Sequence, residues 1–384
     1  MPKIKTKDLS KKLKTILPIH LLDLLRDIGE LADKKKVAVY IVGGFVRDML
    51  IGISNFDIDL VIEGDAIAFS KDLKEKLNAK LKISPRFKTA KLLLNNGLSI
   101  DLAMARTEFY AYPAALPIVE SSSLVKDLSR RDFTINTLAL SLNKKTFGIL
   151  IDSFEASRDL KQKRIKILHD LSFMDDPTRI LRAVRFEQRF NFRIDKYTQN
   201  LILAAIDKKI LKKAEKFRMT NELILLLNEP NPLKVIRRMN TFDELDFIHP
   251  NIKFNKSLSK KIKAVAEIIK CYKKYCQDLS VKIWMVYLMA IIDDLNIHDL
   301  KEIFAVFNFN KKDKDILLEI KQTGGNVLEA LHFIPVRKIS ELAELLKGRA
   351  VEECLFLINK SKKTGIKKMF IEYLVKYVNV KLDN

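Results

Sequence analysis

The sequence predicts an α+β protein, with a mixed α/β segment over residues 1–150 followed by an extended all-helical remainder. Three observations carry this prediction. Short β-rich runs alternate with helical patterns up to about residue 150. Strand signals nearly vanish from Leu160 onward. Beyond that point apolar residues recur at helical spacing: Ile180, Leu181 and Val184, then Leu223, Ile224 and Leu227, then Ile262, Val265, Ile268 and Ile269.

In chain order, residues 1–36 pattern as helix, with Leu21, Leu22, Leu24, Leu25, Ile28 and Leu31 on one side and no proline after Pro18. Val37 to Val42 is a β-rich run ending at Gly43-Gly44. Phe56 to Ile62 reads as a second strand, and Asp65 to Leu77 as a helix whose leading acid suits the positive end of its dipole. Leu92 to Leu94 and Leu98 to Ala103, split by Asn95-Asn96-Gly97, read as a hairpin. Phe133 to Leu142 patterns as helix and Phe147 to Ile151 as strand. In the second half Pro230, Pro232, Pro250 and Gly324-Gly325 punctuate the helices.

The 384 residues include 70 Lys and Arg against 48 Asp and Glu, a formal net charge of +22. A 48% hydrophobic content is enough to bury a core, which excludes wholesale disorder. No apolar run approaches the roughly 18 residues that span a bilayer. The lysine-rich start (Lys3, Lys5, Lys7) has no long apolar stretch after it, so a secretory signal is not expected. Three cysteines are too few for a disulfide framework. The expectation is a cytoplasmic protein with no membrane association and a polyanionic partner, most simply nucleic acid. Residues 1–150 carry +8 and the remainder +14, so the excess runs along the whole chain.

There are only 11 glycines, and Gly43, Gly44, Gly52 and Gly64 fall close together. Gly43-Gly44-Phe45-Val46-Arg47-Asp48 follows a strand and opens a helix, so backbone N–H groups converge with the positive helix end, a phosphate cradle to which Arg47 can add a bidentate contact. A few residues on, Asp57-Ile58-Asp59 lies in the second strand, where alternation puts both carboxylates on one face and Phe56, Ile58 and Leu60 on the other. Two like charges that close call for a cation, and Mg2+, a hard ion taking oxygen ligands, is the natural one. Asp101, in Leu98 to Leu102, is a third carboxylate on a strand that can pair beside the first. Taken alone, the Asp-x-Asp pair would be a solvated polar face; the cradle beside it argues for phosphoryl chemistry.

These motifs resemble those of the class II tRNA nucleotidyltransferases, the CCA-adding enzymes, and their bacterial poly(A) polymerase relatives. Downstream, Arg130-Arg131-Asp132-Phe133-Thr134-Ile135-Asn136 is similar to that family's ribose-binding motif. Asp175-Asp176-Pro177-Thr178-Arg179 occupies the place of its base-reading motif, and Ile180-Leu181-Arg182-Ala183-Val184-Arg185-Phe186 continues the match. The resemblance covers roughly residues 37–230. It implies a polymerase-β-like nucleotidyltransferase head over 1–150, a helical neck over 151–245 and a helical body and tail over 246–384. It further implies Mg2+ on Asp57 and Asp59, with Asp101 as a further catalytic carboxylate. Gly43, Gly44, Arg47, Arg130, Arg131, Asp132, Asn136, Asp176, Arg179, Arg182 and Arg185 would bind nucleotide. The implied activity is template-independent addition of C and/or A from CTP and ATP to the 3′ end of tRNA, with pyrophosphate released. The alternatives are a poly(A) polymerase and a non-catalytic RNA-binding relative.

Residue chemistry agrees with several of these assignments. Arg130 and Arg131, read as standing just before a helix, can neutralise a triphosphate, and Asp132 can accept from a ribose hydroxyl. Asp176 before Pro177 reads as a helix cap, which sets Arg179 on the same side of the first turn. Two departures from the family pattern stand out: Asp175 replaces the usual glutamate, and the usual glycine before Asp159-Leu160 is absent, with Ala156 nearby, although Asp152, Asp159 and Arg164 fit. Arg106 to Pro117 matches the family's flexible loop, with Ala114-Ala115-Leu116-Pro117 closer to the A-adding and poly(A)-type subgroup. His298-Asp299 reads as a helix start, Trp284, Tyr287 and Leu288 as core, and Cys271 and Cys276 lack the partner pair that zinc needs.

Overall fold

The computed structural model describes residues 4–109, 118–242, 244–276, 281–335, 338–361, 363 and 365–375. They fall into two compact units, Met1–Arg179 with Phe190–Ala205, and Ile180–Arg189 with Ile206–Asn384.

The first unit is built on strands β1 (Lys5–Asp8), β2 (Ala38–Val42), β3 (Ile58–Glu63), β4 (Lys80–Ser84), β5 (Thr89–Leu93) and β6 (Ser99–Met104). A separate antiparallel ribbon joins β7 (Arg106–Phe109) to β8 (Ile118–Ser121), and residues 110–117 of the expected flexible loop lie outside the described residues. β9 (Leu138–Ser141) and β10 (Ile149–Asp152) complete an eight-stranded sheet in the order β1-β10-β9-β2-β3-β6-β5-β4. Within it β3 and β6 run parallel, with Asp59 paired to Asp101, and the other adjacent pairs run antiparallel. The expected hairpin is β5–β6. A two-residue parallel pair, β11 (Arg164–Ile165) with β12 (Arg193–Ile194), lay hidden in the stretch expected to be all helical.

The helices of this unit are α1 (Ser10–Ile16), α2 (Ile19–Lys35), α3 (Gly44–Ile51), α4 (Ala66–Leu77), α5 (Leu124–Ser129), α6 (Ala156–Lys161) and α7 (Ser172–Asp175). Asp65 caps α4, accepting from the N–H groups of Ile67 and Ala68, as the leading acid implied. α4 lies against β4, β5 and β6 and covers the face bearing the buried Ala90, Leu92, Ile100 and Leu102. The opposite face of β3, β6, β5 and β4 carries Asp59, Asp101, Lys91 and Lys82.

Several sequence expectations are corrected here. Residues 1–36 are a strand and two helices, because β1 extends the sheet beside β10 and the chain turns at Pro18. Phe133 to Leu142 is a 3-10 turn at Thr134–Asn136 followed by β9, every residue of which is buried, and a short apolar run of that kind carries no period to separate helix from strand. Phe56 precedes β3 and is 42% exposed, so it does not share the buried face of Ile58 and Leu60.

Gly29 of α2 packs against the end of β9, where a Cβ would lie 2.0 Å from the Leu142 carbonyl oxygen. Gly29→Ala must push helix and sheet apart, and overpacking of this kind costs about 1–3 kcal/mol. The expected result is a lowered denaturant midpoint with unchanged m, read by equilibrium unfolding.

α8 (Arg179–Phe190) supplies residues to both units and α9 (Lys196–Asp207) ends the first. The second unit continues with α10 (Lys216–Leu227), α11 (Pro232–Asn240), α12 (Lys256–Tyr275), α13 (Ile283–Ile291), α14 (Ile297–Val306), α15 (Lys311–Phe333), α16 (Ile339–Leu346), α17 (Val351–Lys360) and α18 (Ile366–Tyr373). Ile262, Val265, Ile268 and Ile269 of α12 are buried as their spacing implied. Trp284, Tyr287 and Leu288 are core, with Trp284 stacked on Phe309 at 5.6 Å between ring centroids. Asn296 and Asp299 form a capping box, so His298-Asp299 does start a helix. Gly324-Gly325 does not interrupt a helix: both lie within α15, where Gly324 admits Leu357 and Ile320.

Candidate active site on the sheet of the first unit

Gly43 ends β2 with φ 71° and ψ −126°, a backbone conformation that glycine adopts without strain, and turns the chain directly into α3. A Cβ at Gly43 would stand 3.0 Å from Nη1 of Arg131, so the missing side chain lets that guanidinium lie against the cradle. Arg131 also acts on Asp59 through its charge, which brings the glycine, Arg-Arg-Asp and Asp-x-Asp motifs together. Asp59, Asp101 and Arg131 line one cavity of ≈ 450 Å³, with Lys82, Ser84, Thr89 and Lys91 along its wall.

Asp59, the second residue of β3, is exposed, yet surrounding atoms crowd its carboxyl. That desolvation pushes its pKa above the usual carboxylate range; Asp101 and Asp57 push the same way, while Arg131 and Lys91 oppose them. Asp57, exposed, stands just before the strand, its N–H donating to Asn55 Oδ1 at 2.9 Å. Asp101 is tied to Lys91 at 2.9 Å. Among the described residues no group of three or more His, Cys, Asp or Glu is arranged to hold a metal. Mg2+ commonly binds through one or two carboxylates plus substrate phosphates. The repulsion that Asp57, just before the strand, and Asp101 exert on Asp59 at an open sheet face fits such a partly furnished site.

Arg47 is placed differently from a free phosphate ligand. It is buried, donates from Nε to Asp48 Oδ1 at 2.7 Å and from Nη1 to Asn136 Oδ1 at 2.6 Å, and lies 4.5 Å from the Phe190 ring centroid. Asn136 Nδ2 in turn donates to Asp132 Oδ1 at 2.8 Å. Asp48 Oδ2 accepts from Asn55 Nδ2 at 2.8 Å. A continuous chain therefore runs Asp132–Asn136–Arg47–Asp48–Asn55 to the N–H of Asp57. Asn55 was missed in the sequence because its side chain carries no chemistry of its own; its place two residues before Asp57 was the available signal.

Arg130 and Arg131 follow α5, Arg130 being its C-terminal cap, rather than leading into a regular helix. The fully buried Asp127, also missed, holds both: Arg130 at 2.5 Å and Arg131 at 3.2 Å. Its spacing of three and four residues from the arginines was the legible sign. Arg130 also pairs with Glu108 at 2.6 Å.

Asp176 is extended (φ −141°, ψ 95°) and accepts from the N–H and hydroxyl of Thr178, but it closes the C-terminal end of α7, and α8 begins only at Arg179, so the helix start expected at Pro177 is a turn instead. Arg179 Nε stands 3.9 Å from Asp176, with Nη1 donating to Ser172 Oγ at 2.6 Å and Nη2 to the Arg130 carbonyl at 2.7 Å. Asp175 faces His169 at 3.8 Å; burial and the Arg179 charge push that imidazole below its usual pKa. In the stretch before Asp159-Leu160, Glu155 takes the left-handed region (φ 58°), and Asp152 accepts from the N–H groups of Ala156 and Ser157 beyond it. Asp159 accepts from Thr134 and pairs with Arg164. In the second unit, Arg182 and Arg185 share Glu222 at 3.0 and 3.3 Å, and the buried Arg185 also faces Glu229 at 3.7 Å.

Known proteins show the same arrangement of chain. The Poly A polymerase head domain family matches residues 39–166. An A-adding tRNA nucleotidyltransferase of Geobacter sulfurreducens is 38% identical over 362 residues, 93% of this chain and 41% of that protein. A solved CCA-adding enzyme, apo form II, superposes with a TM-score of 0.80 at 38% identity, covering 99% of this chain and 88% of that one. A Thermotoga maritima CCA-adding enzyme complexed with tRNA gives a TM-score of 0.74 at 36% identity, over 99% and 88%. The chain belongs to the tRNA nucleotidyltransferase family of the CCA-adding enzymes. It spans about two fifths to one half the length of the first curated relatives it matches.

Proposed function

We propose that this chain adds nucleotides, without a template, to the 3′ end of tRNA, using ATP and/or CTP. The A-adding relatives favour ATP as donor. The observation that carries the reading is the cavity in which Asp59 and Asp101 face Arg131 beside the Gly43 turn. The primer 3′ oxygen forms a bond to the α-phosphorus while the bond to pyrophosphate breaks, and the hydroxyl proton leaves to a carboxylate or water. Mg2+ held by Asp57 and Asp59 would acidify the hydroxyl and neutralise the triphosphate. Arg131 and the α3 N-terminus receive the phosphates. Arg130, fixed by Asp127 and Glu108, offers its carbonyl to Arg179, so phosphate and base recognition are mechanically joined. Asp176 and Arg179, both buried and held by Thr178, Ser172 and Arg130, present an acceptor and a donor to the base edge. Among the described residues no helix is long and apolar enough to cross a membrane.

The test is incubation with single labelled NTPs on tRNA ending before CCA, tRNA ending in CC, and an oligo(A) primer. Single A addition to the CC-ended tRNA is the expected result. Long extension of oligo(A) would instead support a poly(A) polymerase, and RNA binding without incorporation a non-catalytic relative.

A further inference from the structure

The register of the sheet places four charged residues in one row. Asp59 pairs with Asp101, Asp101 with Lys91, and Lys91 with Lys82. Paired residues on adjacent strands share a face, so the row runs acid, acid, base, base from β3 to the edge strand β4. Three strand spacings set Lys82 about 14 Å from Asp59. The next row on the same face is Val61, Ala103, Thr89 and Ser84, a smooth floor with two hydroxyls at its outer end. Both rows line the cavity that holds Asp59 and Arg131.

Two lysines directly opposite one another destabilise a strand pair. Asp101 relieves Lys91, but Lys82 has no ion-pair partner among the described residues and stands exposed. An anion above the β4–β5 pair would remove the repulsion. Strand order says which anion. Gly43 leaves β2, on one side of β3, while β6, β5 and β4 lie on the other. Phosphoryl transfer keeps attacking and leaving oxygens roughly in line. With the departing pyrophosphate on the β2 side, the attacking hydroxyl must arrive from the side of β6, β5 and β4.

We infer that the open face of β5 and β4 is the track for the acceptor strand. Lys82 and Lys91 neutralise phosphodiesters just upstream of the 3′ terminus, and Thr89 and Ser84 donate hydrogen bonds to the sugar-phosphate backbone. No base edge is read there, so the track is indifferent to sequence. This assignment rests on the nucleotidyltransferase reading for the identity of the strand, but the phosphodiester site itself can be tested without catalysis.

The test uses the full chain with Lys82→Gln, Lys82→Glu and Lys82→Arg, and CC-ended tRNA with labelled ATP. Lys82→Gln is expected to raise KM for the RNA about fivefold, Lys82→Glu more, and Lys82→Arg to restore it, with KM for ATP unmoved. The slope of log KM against log salt should fall by about 0.7 for the lost phosphate contact. Thermal unfolding should show Lys82→Gln no less stable than the parent, since a like-charge pair is removed. An unchanged RNA KM and salt slope in an active enzyme overturns the track, as does a rise in the ATP KM instead. If the parent incorporates nothing on any primer, the activity reading fails. The track is then decided by fluorescence anisotropy with a single-stranded CC-ended oligonucleotide: equal Kd for parent and Lys82→Glu overturns it, and weaker binding by the variant sustains it.

Discussion

Asp57→Ala and Asp59→Ala should each abolish nucleotide incorporation while leaving RNA binding close to that of the parent. Loss of the charge stabilisation a bound metal supplies is worth several kcal/mol, about 10³-fold or more in rate. Labelled ATP incorporation and a parallel RNA-binding titration read the two halves of the result, and turnover retained by both variants would sink the assignment. Stability should move the other way. Burial and the neighbouring Asp101 and Asp57 raise the pKa of Asp59, so the folded state holds that proton more tightly than the unfolded chain. Its contribution is therefore favourable below the unfolded pKa and is lost as pH rises through the folded one, leaving ionised Asp59 a burden at neutral pH. Asp59→Asn should unfold at the same or a higher temperature than the parent.

Arg47→Ala should be the most destabilising single change at the site. The guanidinium is buried against Asp48, Asn136 and the Phe190 ring, and its removal leaves the buried Asp48 carboxylate bonded to Asn55 but without the cation that paired with it. Breaking a buried pair of this kind costs about 3–5 kcal/mol. Lysine should not rescue it, because one ammonium cannot span Asp48 and Asn136 while stacking on Phe190. Denaturant unfolding measures the loss, and a value below about 1 kcal/mol would mean that the chain of bonds from Asp132 to Asp57 contributes little. Because that chain ends on the Asp57 backbone, incorporation should fall as well, through a mispositioned carboxylate rather than a lost phosphate contact.

What the sequence disclosed about the site was local. The Asp-x-Asp spacing set Asp57 close to Asp59, although Asp57 stands just before β3 and the strand's alternation does not reach it; the paired glycines marked the turn into α3, and Asp65 announced its helix. Asp101 was legible as a partner because its strand was, and the register bears out that pairing. What stayed hidden depends on residues far apart in the chain. Arg47 looked like a phosphate ligand because Asn136, 89 positions away, is invisible to any local pattern. β1 was read as helix because its partner β10 lies almost 150 residues downstream. Phe133 to Leu142 was misread because a fully buried run has no polar face to betray its period. The row from Asp59 to Lys82 exists only once four strands are in register.

The division of the chain carries a consequence for how the molecule is made. The first unit is not one continuous stretch: after Arg179 the chain leaves it, passes through most of α8, and returns for residues 190–205. Those returning residues give β11 its partner β12 and give the buried N–H of Ile167 the Thr198 hydroxyl it donates to. On the ribosome, the first unit therefore cannot close until residue 205 has emerged, well after Asp101 has been translated. A fragment cut at 150 or 179 would be an unfinished fold, and any transplant of this first unit into another protein must carry α8 with it.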